Sequence, residues 1–314
     1  MWVKLWGSRG SHPRPLTTEE FRGRISSVLQ RARPSDLTSP ESRERFMAEL
    51  PPWLFRPLGG NTACIEVHLS DGTVVIFDAG SGIIELSNEL RRRTKKTRGF
   101  HLFFTHFHYD HIQGLPFFAP AYDPRVRLEF YHPKENLEDN VKQHMQPPYF
   151  PITMDQHMGA SMRFHRLKPQ PLKLGSAEIT WRRMQHPGDA FAYKVTENGR
   201  SLVYATDCEL SPQDFERRPE NENFFADADI LILDAQYTLN EAIEKHDWGH
   251  SSFSLGVDFA LSWRVGMLYL FHHEPQYSDK QLYQNLTAAR YYAKTISNDA
   301  VEVQLAEEGT EFTL

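Results

Sequence analysis

The stretch THFHYDH, residues 105–111, sets three histidines and an aspartate within six positions. His106, His108 and Asp110 fall at alternate residues, and His111 breaks the alternation. In a strand, alternate side chains share a face, so His106 and His108 can converge. Where the strand ends, Asp110 and His111 can turn toward a neighbouring point. Imidazole nitrogen and carboxylate oxygen are good ligands for first-row metals. Two centres about 3.5–4 Å apart could share a hydroxide and clamp an in-line displacement. The apolar run HLFF, which leads into the cluster, must therefore be a strand that delivers all four residues to one place.

One such cluster does not complete two metal spheres, so further ligands must come from elsewhere. Three candidates lie where a strand pattern stops and a turn begins: His186 after ITWRRMQ, Asp207 after SLVYAT and His272 after MLYLF. Side chains at strand ends gather along one edge of a layered sheet structure.

The rest of the chain supports layers. TACIEVHL and TVVIFDAG flank the turn SDG, a hairpin signal, and Asn198-Gly199 marks a second hairpin. A helix is expected over about 83–95, ending in RRRTKK, where cations suit the negative end of the helix dipole. Further helices are expected near 134–145, 252–263 and 278–296, and the closing VEVQLAEEGTEFTL reads as a hairpin-like tail. Strands interleaved with helices predict an α/β (α+β) protein with paired sheets inside and helices outside. Residues 13–58 differ in character. They are rich in Pro, Arg and Glu, with helix starts at Thr17 or Thr18 before Glu19 and Glu20, and at Ser39 before Glu41. This stretch is too short to bury a core of its own, so it reads as a helical surface insertion in one domain spanning 1–314.

Composition excludes several classes. The formal charge is −6, which gives the whole chain no basic footprint for nucleic acid. There is no apolar run of about 18 residues, so no membrane span is expected. The start MWVKLWGSRG lacks the apolar core of a secretory signal, and the only cysteines, Cys64 and Cys208, suit a reducing compartment. The expected location is the cytoplasm.

THFHYDH, with distant His186, Asp207 and His272, resembles the metallo-β-lactamase superfamily of hydrolases. WGSRGSHP, GGNTACIEV, IFDAGSG, HPGDAFAYKV, YATDCE, GHSS and FHHEP extend the resemblance along nearly the whole chain. They bring it nearest the branch of tRNase Z and the cyclic phosphodiesterases. The resemblance implies a four-layer αββα sandwich with a dinuclear site on one edge. It implies that His106, His108 and His186 hold one metal, that Asp110, His111 and His272 hold the other, and that Asp207 bridges them. Two divalent ions are implied, zinc first, with manganese or iron as alternatives. Cys208 competes with Asp207, but strand neighbours face opposite ways and YATD fits the phosphodiesterase branch. His273 competes with His272, and the family places its ligand at the first histidine after the strand. Asp78 is expected to orient a ligand histidine.

In the tRNase Z branch, a histidine in a GHSS-like motif lies near the leaving-group oxygen, paired with an acidic residue from the preceding strand. Here these are His250 and Asp234. A positioned imidazolium can protonate an alkoxide leaving group. Asp110 is counted with them among the catalytic residues. Ser251, Ser252 and Asn61 are candidate substrate contacts, with a helix N-cap the competing role for either serine. Tyr149 and Phe150 in QPPYFP are expected to pack, and the helix RGRISSVLQRAR to be a solvated face.

The function expected is that of a dinuclear metal phosphodiesterase acting on a small cyclic phosphodiester, foremost a 3′,5′-cyclic nucleotide. Three alternatives stand beside it: an RNA 3′-end endonuclease, a carboxylic-ester, lactone or thioester hydrolase, and a non-catalytic binding module. The partner expected is the small-molecule substrate, with nucleic acid not favoured and a homodimer contact available through the insertion.

Overall fold

The computed structural model describes residues 1–94, 96–297 and 300–314. Fourteen strands among the described residues form two sheets of seven. The first contains β1 (Trp2–Gly7), β2 (Cys64–His68), β3 (Val74–Phe77), β4 (Gly99–Phe103), β5 (Arg127–His132) and β6 (Ser161–Arg166). The second contains β7 (Leu172–Leu174), β8 (Ala177–Met184), β9 (Ala190–Glu197), β10 (Arg200–Ala205), β11 (Ile230–Asp234), β12 (Met267–Phe271) and β13 (Glu302–Leu305). The last strand, β14 (Glu311–Thr313), returns to the first sheet and pairs with β1.

The expected hairpin tail is therefore absent. β13 pairs parallel with β12 and β14 antiparallel with β1, so the turn between them carries the chain from one sheet to the other. The expected hairpins at 69–72 and 198–199 form, with Asn198 and Gly199 both at positive φ. β6, which the sequence reading leaves without an element, extends the first sheet beside β5.

Strand periodicity builds the layers. On β11, Ile230 and Ile232 face the space between the sheets, while Leu231 and Leu233 face the outer helices. On β10, Leu202 and Tyr204 face inward, and Val203 and Ala205 outward. Phe77, Phe103, Tyr193 and Phe271 fill the same central layer. Helices Phe253–Ser262 and Asp279–Ser297 cover the outer face of the second sheet, and Gly82–Arg92 covers the first. Complete burial of each such side chain stabilises by about 1.5–3 kcal/mol. The result is a four-layer αββα sandwich.

The insertion forms helices Thr18–Arg31 and Pro40–Glu49, neither with a buried residue. Arg24 ties the first of them to Asp279, which also accepts from the buried Arg9. No helix among the described residues is long and apolar enough to cross a membrane.

Candidate metal centre

Strands β3 to β6 run parallel, as do β10 to β13, and β8 points the same way as β10 across the antiparallel β9. Their C-terminal ends share one edge of the sandwich. Three residues there take left-handed backbone: Asp78 after β3, Asp207 after β10 and His272 after β12, at φ 58°, 52° and 59°. This conformation is unfavourable for a side chain with a Cβ, and strained backbone of this kind concentrates at functional sites. It breaks the strand's alternation at the last residue and swings each side chain toward its neighbours.

The edge gathers His106, His108, His186 and Asp207 as one set of metal-capable donors, and Asp110, His111, Asp207 and His272 as a second. In the first set, His186 Nδ1 donates to the Gly249 carbonyl at 2.9 Å, which leaves the Nε2 lone pair facing His108 Nδ1 at 3.0 Å. Burial pushes the pKa values of His106, His108 and His186 down, so these rings are neutral donors. His106 Nε2 is buried without a hydrogen-bond partner.

In the second set, His111 Nδ1 lies 2.9 Å from Asp78 Oδ2. Asp78 also accepts from Thr105 and, across the central layer, from the buried Tyr204 hydroxyl at 2.9 Å. These bonds place the His111 proton on Nδ1 and turn Nε2 into the cluster. His272 Nδ1 donates to Gln236 Oε1 at 3.1 Å, and Gln236 donates onward to Glu274, so His272 also presents Nε2. His273 points elsewhere, with Nε2 3.0 Å from the Ala306 carbonyl. Asp110 Oδ2 accepts the Ser11 backbone N–H at 2.8 Å and lies 3.2 Å from His272 Nε2.

Asp207 stands between the sets. Its Oδ1 is 3.1 Å from His111 Nε2 and 3.2 Å from His272 Nε2, and its Oδ2 is 3.7 Å from His106 and 3.8 Å from His186. Cys208, next in the chain, is buried with its thiol on the Ala205 carbonyl. Burial alone would raise the Asp207 carboxyl, but the surrounding histidines, His111 first, hold it well below the usual range. Burial alone would likewise lower His111, but Asp207, Asp110 and Asp78 outweigh it and hold a proton there. These carboxylates demand positive charge at one point, and His111 Nε2, like His106 Nε2, has no directed hydrogen bond. A divalent cation in each set meets both requirements, so the donors fit two ions.

His250 borders the cluster. Its ring stacks on His272 with centroids 4.9 Å apart and meets His186 edge-on at 5.1 Å. His250 Nδ1 is 2.6 Å from Asp234 Oδ2, at the end of β11. Burial would lower the imidazole, but Asp234 overrides it and the pKa is pushed up to about 9. Asp234 is fully buried and also accepts the backbone N–H groups of Ser251 and Gln236. Asp234, His250 and His272 could themselves be read as a third donor set. The bonds His250–Asp234 and His272–Gln236 already occupy both Nδ1 atoms, which speaks against it.

The expected substrate contacts are placed otherwise. Ser251 Oγ donates to the Cys208 carbonyl and accepts from Leu210 N, and the residue is buried. Ser252 is the buried N-cap of helix Phe253–Ser262, accepting from Leu255 N. Neither hydroxyl faces outward. Asn61 spends its amide on Glu308 and Ser81, which sets the turn rather than reaching the cluster. The sequence reading missed Ser11, Tyr204 and Gln236. Gln236 stands two residues after Asp234 in LDAQY, a position that strand alternation puts on the same side. Ser11 contributes through its backbone, which leaves no mark in side-chain identity.

Residues 73–273 match the family model described as Beta-lactamase superfamily domain. A curated relative, Ribonuclease Z of Thermococcus sibiricus, is 23% identical over 282 residues, covering 76% of this chain and 89% of its own. Among solved structures, a diphosphatase of the PhnP family superposes with a TM-score of 0.65 at 18% identity, covering 100% of this chain and 97% of its own. Human tRNase Z, short form, superposes with a TM-score of 0.63 at 17% identity, covering 100% and 99%. The chain thus belongs to the β-lactamase superfamily, in its metallo-β-lactamase fold, and is a metal-dependent hydrolase.

Proposed function

We propose that this hydrolase is a dinuclear phosphodiesterase whose substrate is a small cyclic phosphodiester, foremost a 3′,5′-cyclic nucleotide. His106, His108 and His186 would hold one ion, Asp110, His111 and His272 the other, and Asp207 both. Bound there, two divalent ions would activate water at neutral pH and offset charge on the phosphate. The observation that carries the reading is the His250–Asp234 pair at 2.6 Å beside both donor sets. Asp234 fixes the ring so that Nδ1 carries one proton and Nε2 the transferable one. Opening a cyclic phosphodiester expels a ribose alkoxide, a poor leaving group that gains from proton donation. An activated carboxylic ester needs no such donor, so the pair favours phosphodiesters over ester hydrolysis.

A second reading, cleavage at RNA 3′ ends, uses the same residues. It draws support from the relative named Ribonuclease Z.

The deciding experiment assays purified, metal-analysed protein against cyclic nucleotides, ribose cyclic phosphates, bis(p-nitrophenyl) phosphate, pre-tRNA and a lactone. Turnover of a cyclic nucleotide well above the lactone supports the first reading. Cleavage of pre-tRNA alone moves the assignment to the second, and turnover of the lactone alone overturns both.

A further inference from the structure

The loop after β1 lies against the second donor set. Ser11 N donates to Asp110 Oδ2 at 2.8 Å, and Gly10 packs so closely on the His272 ring that a Cβ there would sit 2.5 Å from Nδ1. Ser11 takes left-handed backbone at φ 59°, as His272 does. Such backbone persists only where the surrounding structure fixes it. The side chain that anchors this loop is Arg9.

Arg9 is 1% exposed. Its Nε donates to the Gly59 carbonyl at 3.1 Å, and its Nη1 to the carbonyls of Glu274 and Tyr277 at 3.4 and 3.2 Å. Its Nη2 donates to Asp279 Oδ1 at 2.8 Å. One guanidinium thus ties the loop to residue 59 and to the segment 274–279, which runs on from His272 and His273. Each nitrogen of the planar fork serves a different partner, which a lysine ammonium cannot match. The first donor set is braced elsewhere. His186 leans on the Gly249 carbonyl, and His106 Nδ1 lies 3.1 Å from Thr105 Oγ1.

Asp279 carries the connection outward. Its Oδ2 accepts from Leu58 N and from Arg24, on the insertion helix Thr18–Arg31. Among the described residues, this is the one ion pair between that helix and the sandwich. A continuous chain of bonded groups therefore runs from the insertion through Asp279 and Arg9 to the loop that touches Asp110 and His272.

We propose that Arg9 is a positioning residue for the second donor set, and that the insertion tunes this set's hold on its ion through Arg24 and Asp279. The inference rests on the two-ion reading of the site and adds that the two ions are held under separate control.

The test titrates full-length apo-protein with cobalt(II), followed by visible absorption, to obtain two stepwise dissociation constants. His272→Ala, which leaves the first set intact, identifies the constant that belongs to it. Arg9→Lys should weaken the second-set constant by about 10–100-fold, the cost of losing a partner behind metal ligands, and leave the first unchanged. In the His272→Ala background, Arg9→Lys should change nothing further. Arg24→Glu sets a carboxylate against Asp279 and should weaken the second-set constant by about fivefold, the low end of coupling between separate sites. Arg24→Lys should restore the parent value. Glu66→Gln, which disturbs a buried network away from the cluster, controls for stability and should move neither constant. If Arg9→Lys does not fold, the Arg24 series decides alone. Equal weakening of both constants by Arg9→Lys, or weakening of the second by Glu66→Gln, would make Arg9 a fold-holding residue and overturn the proposal. Unchanged constants in Arg9→Lys overturn it as well, and an unchanged Arg24→Glu overturns the insertion's part. A parent that binds a single ion would sink the two-ion reading itself, and this inference with it.

Discussion

Asp207 Oδ1 lies 3.1 Å from His111 Nε2. Its other oxygen faces the opposite donor set, 3.7 Å from His106. One carboxylate thus stands in both donor sets. Asp207→Ala should lower occupancy at both sites together, so elemental analysis should find well under one equivalent of metal per chain. Two full equivalents in that variant would refute the bridging role. The neighbouring thiol gives no substitute, because Cys208 points to the Ala205 carbonyl.

The two histidines after β12 should separate cleanly. His272→Ala removes a donor from the second set and should cost about half of the bound metal. His273→Ala should keep both ions. It leaves the buried Ala306 carbonyl without its partner and opens a small cavity, so it should lose about 1–3 kcal/mol of stability. Metal content and urea unfolding, measured on both variants, give the comparison. Equal metal loss in the two would mean that the turn at His272 is drawn wrongly.

A pH effect is expected far from the cluster. Glu66 is fully buried and takes bonds from Trp6 Nε1, His68 and Arg93. Burial would raise its pKa, but His68 and Arg93 prevail and the carboxyl is pulled down to about 2 from its ordinary 4.5. A folded pKa below the unfolded one adds stability that is present above about pH 4.5 and lost as the pH falls toward 2. At one pKa unit per about 1.36 kcal/mol, this is at most about 3 kcal/mol. Glu66→Gln should therefore be less stable than the parent near pH 7, and the gap should shrink to less than half by about pH 3 and close only below about pH 2. A gap that stays constant across that range would remove Glu66 from the acid sensitivity.

What was legible in the sequence divides along the range of the interaction. His186, Asp207 and His272 could be found because each ends a local strand pattern, and strand ends collect at an edge. Strand alternation allows only one of Asp207 and Cys208 to face the edge, and the resemblance of YATD to the phosphodiesterase branch selects Asp207. The closing tail could not be read, because its pairing is nonlocal: EEGT looks like a hairpin turn, yet its flanks join different sheets. The two serines of GHSS show a related limit. Residue type announces a donor but not where it is used, and here Leu210, Cys208 and Leu255 take both hydroxyls. The Ser11 contact to Asp110 is made by backbone, which any residue could supply.

The remaining question is what His250 does beside the cluster. If it is the proton donor, His250→Ala should keep its metals, since the imidazole belongs to neither main donor set. Its turnover of a cyclic nucleotide should fall by about 10²–10⁴, the usual contribution of general acid catalysis. With bis(p-nitrophenyl) phosphate the leaving group is stable as an anion, so the loss should be much smaller. Asp234→Asn should follow the same pattern more weakly, because it disturbs only the ring's orientation and basicity. The double variant should be no worse than His250→Ala alone, since Asp234 acts through His250. Equal losses on both substrates would instead make His250 a phosphate contact or a wall of the cleft. Loss of metal in His250→Ala would give it a place in the coordination shell. Either result would take away the argument for a protonated leaving group, and with it the preference for phosphodiesters over esters.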